Sequence, residues 1–181
     1  MLALGGLVSI VASCAPLSRE QYFEPRVGMV APVTAQQTEY NPYPTIGVAY
    51  GIEGKEKRHG RARDKTGLEL SLDYFKSSGE NIETDSFLLG VNATYPLKLG
   101  VRSIYLTGGL RFLGETSTIE IGPPFNVHDR QSDLKVGLDV GANFRFDARG
   151  IEDFGVRFGY TALLGSENVK GMIILAADYR F

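Results

Sequence analysis

The sequence has few of the residues on which disulfide-linked, metal-binding and nucleic-acid-binding proteins depend. It contains one cysteine, two histidines and no tryptophan among its 181 residues. A single cysteine excludes a disulfide framework and a cysteine-based metal site. A formal net charge of −2 argues against a nucleic-acid partner, because such proteins usually present a basic surface. We therefore expect the chain to bind no cofactor, no metal and no nucleic acid.

Long apolar runs and helical periodicity are also missing. Past the N-terminus, no segment reaches the roughly 18 apolar residues that a transmembrane helix needs. Apolar residues instead recur at every second position, which is the period of a β-strand with two unlike faces. From Leu134 to Asp147, every even position is apolar and every odd position is charged, polar or glycine. The mean hydropathy of −0.08 fits a soluble protein or a membrane barrel, since a barrel exposes apolar residues only at alternate positions.

The first residues differ in character from the rest of the chain. Residues 1–13, MLALGGLVSIVAS, form an apolar segment of about the length of a signal-peptide core, too short to span a membrane. The stretch Val11 to Cys14 resembles the lipobox of bacterial lipoproteins, in which the cysteine becomes lipidated. We predict a signal-peptide or lipobox-like segment over residues 1–15, with Cys14 as a candidate for lipidation. Ordinary signal cleavage near Ser13 or Ala15 is the alternative.

Alternating segments follow one another from residue 22 to the end of the chain. Each has about the 9–11 residues that a tilted strand needs to cross a bilayer. The predicted strands are Phe23–Val33, Thr45–Ile52, Leu68–Phe75, Ser86–Tyr95, Ile104–Leu113, Leu134–Asp147, Phe154–Leu164 and Gly171–Phe181. The links between them alternate between short and long, which is typical of transmembrane barrels. Residues 53–67 break this rule, and either strands that extend past the membrane or a solvated loop would explain them.

The composition of the two faces indicates which face is wet. Two architectures close eight antiparallel strands into a barrel, and they are inverted: lipocalin-like barrels have an apolar interior, whereas membrane barrels have an apolar exterior. Here the polar face is rich in glycine, which weakens a solvated strand but makes room for long side chains inside a narrow barrel. Its charges are nearly balanced, as buried ion pairs require. The charged residues predicted in the lumen are Glu24, Arg26, Glu69, Asp73, Arg111, Lys135, Asp139, Arg145, Arg157, Asp178 and Arg180.

Aromatic residues support a membrane location. The apolar face places several of them near the rim with the short turns, as an interfacial girdle requires. They are Phe23, Tyr95, Phe146, Phe154 and Phe181. The chain ends in ILAADYRF, with Tyr179 and Phe181 on one face, which resembles the terminal β-signal of bacterial outer-membrane proteins. The sequence therefore predicts an all-β fold, an eight-stranded antiparallel up-and-down transmembrane β-barrel.

Together these features resemble the OmpA/OmpX-like outer-membrane β-barrel superfamily of Gram-negative bacteria. The resemblance covers residues 22–181 and rests on the pattern of the whole domain. It implies a monomer in the bacterial outer membrane, with outer-membrane lipids, lipopolysaccharide and the barrel-assembly machinery as partners. It also implies a lumen filled by side chains, because eight strands leave no wide channel.

The function expected from this pattern is non-enzymatic. Envelope structure and surface recognition by the long loops both fit, above all the segment from Gly114 to Asp133. Its β-rich TSTIEI stretch predicts a ribbon beyond the membrane that is suited to adding a strand to a partner. Two alternatives stay open: a narrow transporter or channel for small or hydrophobic solutes, and a soluble lipocalin-like carrier anchored by Cys14.

Few residues suggest catalysis. His59 lies in the basic stretch KEKRHGRAR, and we interpret it as a solvated loop residue. His128 lies near Asp129 and Ser132, and we interpret this HDRQS segment as a polar loop without a rigid catalytic geometry. No histidine occupies a lipid-facing position, as the Ser/His sets of the lipid A deacylase and palmitoyl transferase barrels require. The KEKRHGRAR stretch would bind anionic headgroups or lipopolysaccharide if it lay at a membrane rim.

Overall fold

The computed structural model is a closed barrel of antiparallel strands. It describes residues 18–34, 42–58, 61–78, 82–99, 102–121, 127–148, 151–165 and 169–181. The strands are β1 (Ser18–Thr34), β2 (Tyr43–Arg58), β3 (Arg61–Ser78), β4 (Ile82–Leu99), β5 (Arg102–Ile121), β6 (Val127–Ala148), β7 (Ile151–Leu164) and β8 (Val169–Tyr179). Each strand pairs with its neighbours in chain order, and β1 also pairs with β8. The predicted all-β, eight-stranded up-and-down fold is confirmed.

Some sequence predictions concern residues outside these ranges. The signal-peptide or lipobox-like segment over residues 1–15, including Cys14, lies outside the described residues. So does His59. For these positions the sequence predictions stand as made.

No helix among the described residues is long and apolar enough to cross a membrane.

The seam between the first and last strands closes the barrel. The ladder of β1 and β8 runs from the pair Arg26 and Asp178 to the pair Thr34 and Val169. Beyond the pair Arg26 and Asp178, the Phe23 amide donates to the Phe181 carbonyl at 3.4 Å, and the Phe181 amide donates to the Phe23 carbonyl at 3.0 Å. Closure satisfies the backbone groups that an open sheet edge would leave without partners in lipid.

The two ends of the barrel differ. At the terminal rim, where β1 begins and β8 ends, two residues separate each pair of consecutive strands. At the opposite end, the loop rim, three to eight residues separate them. This is the arrangement predicted from the links, and in barrels of this kind the short turns face the periplasm and the longer loops face outward.

The apolar positions of the alternation face outward. In β6, Leu138, Val140 and Phe144 are 52%, 58% and 41% exposed, whereas Asp139 and Arg145 on the other face are 2% and 6% exposed. The same alternation on the other strands gives the barrel a continuous apolar coat. The aromatic residues of the predicted girdle all belong to this coat: Phe23, Tyr95, Phe146, Phe154 and Phe181. A soluble lipocalin-like barrel would show the inverse distribution.

Four strands continue past the coat at the loop rim. The β5–β6 ladder extends to the pair Ile121 and Val127, and the β3–β4 ladder extends to the pair Ser78 and Glu83. We call this extension of β3, β4, β5 and β6 the projecting sheet; it comprises residues 76–78, 82–85, 115–121 and 127–135. The ribbon predicted from TSTIEI is present. The interpretation of HDRQS as a loop is wrong, because these residues lie within β6 and pair with β5.

The unusual link over residues 53–67 is also mostly strand. The β2–β3 ladder continues to the pair Arg58 and Arg61 at the terminal rim, with a register shift between Glu53 and Lys55. Of the two explanations that the sequence allowed, extension of the strands is the one observed. The described residues of the KEKRHGRAR stretch, 55–58 and 61–63, therefore lie at the terminal rim.

An apolar cluster fills the interior near the loop rim, and the alternation did not predict it. We call it the apolar plug; it consists of Val30, Phe75, Leu88, Leu113, Leu163, Met172 and Ile174. Tyr43 and Val169 pack against it. Each plug residue faces the lumen. Further along the same strands, the lumen-facing positions are occupied by polar residues or glycine. The interior is thus divided into an apolar half near the loop rim and a charged half near the terminal rim.

Candidate functional site: the filled lumen and the projecting sheet

Glu24 is the centre of the charged half of the lumen. Its side chain is fully buried and accepts a hydrogen bond from Arg180 Nε at 2.7 Å. Arg145 Nη2 donates to the same carboxylate oxygen, and Arg26 Nη2 lies 3.8 Å from the other one. Arg145 also lies 3.5 Å from Asp178 Oδ1. A single carboxylate from β1 thus ties together strands that are far apart in sequence, because the narrow barrel brings their lumen faces within reach.

Glu69 joins two further arginines to this group. Its Oε1 lies 2.6 Å from Arg157 Nη1 and 3.0 Å from Arg26 Nη2. All three side chains are nearly excluded from solvent. Because Arg26 also lies near Glu24, these contacts form one continuous network across the barrel, as the cost of an unpaired buried charge requires.

Arg180 extends the network toward the terminal rim. Its Nη1 donates to Glu53 Oε1 at 2.8 Å, and its guanidinium carbon lies 3.7 Å from the centroid of the Tyr22 ring. The stacking is a cation–π contact. The sequence prediction did not include Glu53, because it assigned this residue to the link over 53–67. The polar alternation of β2 would have identified Glu53 had it been continued two residues further.

A second group lies deeper, beneath the apolar plug. Arg111 donates from Nη1 to Asp73 Oδ2 at 3.2 Å, and its Nε lies 3.1 Å from Asp139 Oδ1. Thr161 donates to the same Asp139 oxygen at 2.9 Å. Two carboxylates share one guanidinium here, and the hydroxyl offsets part of the excess negative charge.

Lys135 is separate from both groups. It contacts Glu115, and its Nζ lies 3.3 Å from Asp133 Oδ2. All three belong to the inner face of the projecting sheet, on the far side of the plug. The structure thus brings together Glu24, Arg26, Glu69, Arg145, Arg157, Asp178 and Arg180 in one network and Asp73, Arg111 and Asp139 in another, and it places Lys135 at the loop rim.

Glycines on the lumen face give these long side chains their space. A Cβ on Gly51 would overlap the ring of Tyr22, and a Cβ on Gly155 would overlap the Asp178 carboxylate. A Cβ on Gly90 would lie 2.5 Å from Ser71 Oγ. All three distances are shorter than real Cβ contacts allow. The interpretation of the glycines as room for neighbouring strands agrees with these contacts.

Hydrogen bonds and ion pairs also order the projecting sheet. On its outer face, the Tyr74 hydroxyl donates to Asp85 Oδ1 at 2.6 Å, and Lys76 Nζ donates to Glu83 Oε2 at 2.6 Å. The bond to Glu83 raises the pKa of Lys76 above its usual value. On the inner face, the hydroxyls of Thr84 and Ser117 lie 2.9 Å apart. The sheet is therefore an ordered extension of the barrel wall.

The chemistry that these groups support is mainly structural. The described residues contain no cluster of histidine, cysteine, aspartate and glutamate able to hold a metal ion. The carboxylates of the lumen are engaged by arginines, which leaves them as anchors for the barrel wall. The side chains in the lumen fill the barrel and hold its strands together. The projecting sheet is the part that remains accessible.

The closed antiparallel order, the apolar coat and the short and long rims define the class: an eight-stranded barrel of the outer-membrane type. No protein-family model matches the sequence, and no curated protein does. Solved structures with the same fold include the neisserial surface protein NspA (12% identity, 90% of this chain and 97% of that chain, TM-score 0.55). The attachment invasion locus protein Ail of Yersinia pestis is also similar (15% identity, 92% of this chain and 100% of that chain, TM-score 0.53). A major outer membrane protein of Thermus thermophilus is similar as well (11% identity, 91% of this chain and 100% of that chain, TM-score 0.60). At these identities the likeness establishes the fold alone.

Proposed function

We propose that this chain is a bacterial outer-membrane protein that recognises a partner protein at the cell surface through its projecting sheet and has no enzymatic activity. The observation that carries the proposal is the edge of β6. The β6–β7 ladder ends at the pair Val136 and Leu164, whereas the β5–β6 ladder continues to Ile121 and Val127. Among the described residues, β6 from Val127 to Lys135 is therefore paired on one side only.

A strand paired on one side offers backbone donors and acceptors to an added strand. An extended segment of a partner can hydrogen-bond to such an edge, and neighbouring side chains then select the sequence. The edge of β6 carries charged residues at Asp129, Arg130 and Asp133. Charges of this kind discourage uncontrolled edge-to-edge association, so the edge is suited to a specific partner.

The coat and its aromatic girdle support placement in the outer membrane. Leu138 and Val140 would lose contact with water in lipid, and each buried apolar residue contributes about 1.5–3 kcal/mol to such a transfer. The structural neighbours named above are outer-membrane or surface proteins. In that membrane, the loop rim faces outward. We expect a monomer whose Tyr179 and Phe181 are read by the barrel-assembly machinery, with outer-membrane lipids around the coat.

Attachment is part of the proposal for this chain because the name of Ail describes an attachment protein. One Ail structure holds a heparin analogue, sucrose octasulfate. The projecting sheet described here does not match a polyanion in charge. Its cations are Lys76, Arg130 and Lys135, and its anions are Glu83, Asp85, Glu115, Glu120, Asp129 and Asp133. This excess of negative charge favours a protein segment over a sulfated sugar as the partner.

The interior argues against the two alternatives. A narrow transporter needs a continuous path, and the apolar plug and the ion network lie one above the other across the lumen. A lipocalin-like carrier needs an apolar cavity inside and a polar exterior, which is the inverse of the observed distribution. Both arguments favour the projecting sheet over the lumen as the functional part.

The test removes the ribbon and keeps the barrel. Thr116 and Ser132 face each other in the β5–β6 ladder, so residues 117–131 can be replaced by Asn-Gly, which forms a two-residue hairpin turn. Cells that display either form are assayed for adhesion to an array of immobilised extracellular-matrix and serum proteins. We expect adhesion by the full-length chain and its loss in the shortened variant, with unchanged heat-dependent migration on a denaturing gel. Equal adhesion by both forms, or none by the full-length chain, would refute the proposal.

A further inference from the structure

We propose that the extended hairpin of β2 and β3 at the terminal rim binds an acidic, extended segment of a partner protein along the edge of β3. We call this hairpin the basic ribbon; it comprises residues 55–58 and 61–66. It lies at the opposite end of the barrel from the edge of β6 proposed above for surface recognition, and it shares no residue with that edge. The two proposals can therefore fail independently.

The basic ribbon leaves the edge of β3 open. Its two strands pair with each other as far as the pair Arg58 and Arg61. β3 pairs with β4 only from the pair Gly67 and Thr94 onward. Within the part of the chain that the structure describes, residues 61–66 of β3 therefore have a strand on one side only. Such an edge offers backbone donors and acceptors to an added strand.

Pro96 accompanies the separation of β3 from β4. β4 continues to Leu99 as the partner of β5, but Pro96 follows Thr94 by two residues and has no amide hydrogen to donate. Residues 61–66 of β3 include no proline. Of the two edges that diverge here, the edge of β3 is therefore the one that can pair along its whole length.

The charge of the basic ribbon specifies the kind of partner. Residues 55–58 and 61–66 include three lysines and three arginines but only one glutamate and one aspartate. Both acidic residues stand opposite basic ones in the register: Asp64 opposite Lys55, and Glu56 opposite Arg63. Opposite charges placed in this way support the pairing of two strands. The remaining cations are an excess that favours an acidic partner.

The register also places the arginines on one face of the ribbon. Arg58 and Arg61 are directly opposite each other, and Arg63 is opposite Glu56. Residues two apart on a strand share a face, so all four lie on the same one. Like charges directly opposite each other destabilise a pair of strands, and an anion bound between them relieves this cost. We call this side of the ribbon the arginine face.

The length of the ribbon favours a soluble partner over the anionic headgroups that the sequence predicted as its ligand. The coat ends on these strands at the pair Ile52 and Leu68. The strand from Ile52 to Arg58 covers about 20 Å, or about 15 Å along the barrel axis at the usual tilt. The headgroup region takes up only about 5–8 Å on each side of a bilayer. With the coat in the hydrocarbon, the tip of the ribbon lies beyond the headgroups.

An extended protein segment satisfies both the open edge and the arginine face. Added beside β3, it completes the backbone hydrogen bonds of residues 61–66, which neither a glycan nor a lipid can do in register. Directly opposite residues of neighbouring strands share a face, so acidic residues at every second position of the segment would lie beside Arg61 and Arg63. Arginine binds a carboxylate through two parallel hydrogen bonds. The recognised segment therefore has acidic residues at alternate positions.

The experiment titrates the full chain, folded in micelles of a nonionic detergent, with a fluorescein-labelled peptide of alternating glutamate and threonine. Fluorescence anisotropy measures binding, and hydrogen exchange followed by mass spectrometry measures protection of residues 61–66. Arg61→Gln combined with Arg63→Gln removes two charges from the arginine face. Lys55→Gln combined with Lys57→Gln is the matched control, because it removes the same charge from the other face of the ribbon.

We expect the peptide to bind the parent chain and to protect residues 61–66 from exchange. The double arginine variant should bind about tenfold more weakly and the double lysine variant at most about twofold, since two exposed charge contacts together contribute up to about a factor of ten. A peptide of alternating glutamine and threonine should bind as weakly as the acidic peptide binds to the arginine variant. An acidic peptide with prolines in place of the threonines should give no protection.

Several results would overturn the proposal: no binding by the parent chain, equal binding by the two double variants, or binding without protection of residues 61–66. Tighter binding to phosphatidylglycerol vesicles or to soluble peptidoglycan fragments than to the acidic peptide would do the same, because it would assign the ribbon to another class of partner. Heat-dependent gel migration checks the fold of each variant. Arg61→Lys combined with Arg63→Lys keeps the charge and should bind with intermediate strength, which provides a second test of the arginine face.

Discussion

Gly51 illustrates at the scale of single residues why the lumen face contains so much glycine. Tyr22 lies against it, and the ring is held from the other side by the Arg180 guanidinium at 3.7 Å. The space that a side chain on β2 would occupy is taken by a side chain from β1. Glycine at this position therefore contributes to packing through its lack of a side chain.

Substituting Gly51 with alanine should destabilise the barrel. The added Cβ would overlap the ring of Tyr22, which is buried and stacked against Arg180. Overpacking of this kind costs about 1–3 kcal/mol in the free energy of unfolding. Gly159→Ala is the control, because Gly159 also faces the lumen but a Cβ there meets only the Val140 carbonyl oxygen, at 3.7 Å. Urea unfolding followed by far-ultraviolet circular dichroism measures both, and equal midpoints would contradict the packing described.

Removing one arginine from the lumen network should cost more. Arg145→Leu leaves Glu24 and Asp178 each short of a partner inside the barrel, and breaking a buried ion pair from one side costs about 3–5 kcal/mol. Lys76→Gln serves as the control, since the Lys76–Glu83 pair is exposed and its loss should leave the unfolding midpoint unchanged. A midpoint for Arg145→Leu equal to that of the parent would contradict the network.

At the scale of strands, the sequence predicted which face of each strand points into the lumen. It did not predict all of the side chains that fill the lumen. Alternation identifies the faces because side chains alternate about the sheet. Alternation does not predict the apolar plug. Leu88 lies between Phe87 and Leu89, and these three residues form an unbroken apolar run in which no polar face can be identified. Such runs are the mark of a strand with two dry faces. Their position toward the loop rim on several strands was the available signal.

Strand lengths were underestimated for a related reason. The predicted strands ended where the apolar coat ends, because the alternation of apolar residues stops there. Backbone pairing continues beyond it, in β6 from Leu134 back to Val127 and in β2 from Ile52 to Arg58. Hydrogen bonding between strands does not depend on side-chain polarity, so the hydropathy pattern gives the span of the coat and not the end of the sheet. The ion-pair partners within the lumen depend on register, which the sequence pattern does not specify.

The plug predicts a difference between the two faces of β5. Leu113 is 1% exposed within the plug, whereas Leu110 is 44% exposed on the coat. Leu113→Ala opens a cavity in a packed interior and should lower the free energy of unfolding by about 2–5 kcal/mol. Leu110→Ala leaves a gap that lipid or detergent can fill, so we expect a smaller loss. Urea unfolding in the same micelles compares the two, and a larger loss for Leu110→Ala would place the packed side of β5 on the coat.

At the scale of the whole molecule, the lumen should be closed to ions. The apolar plug fills the lumen near the loop rim, and beneath it charged side chains occupy the width that eight strands leave. We expect no steady conductance when the purified barrel is inserted into a planar lipid bilayer. Steady single-channel currents from the parent chain would contradict this and would favour the transporter alternative.

The division of the interior into two halves has a consequence for how the barrel reaches its final position. If insertion proceeds from the side that carries the termini, the loop-rim half of each hairpin crosses the hydrocarbon, while the terminal half stops within it. Where the plug lies behind the coat, the inner face carries Leu88, Leu113 and Ile174, so that part of the wall is apolar on both faces. The arginines and carboxylates of the lumen network, which lie in the terminal half, travel the shorter distance, and transfer of such charges into lipid is costly. In that case we expect the plug to lower the cost of moving this part of each hairpin through lipid, in addition to filling the finished barrel.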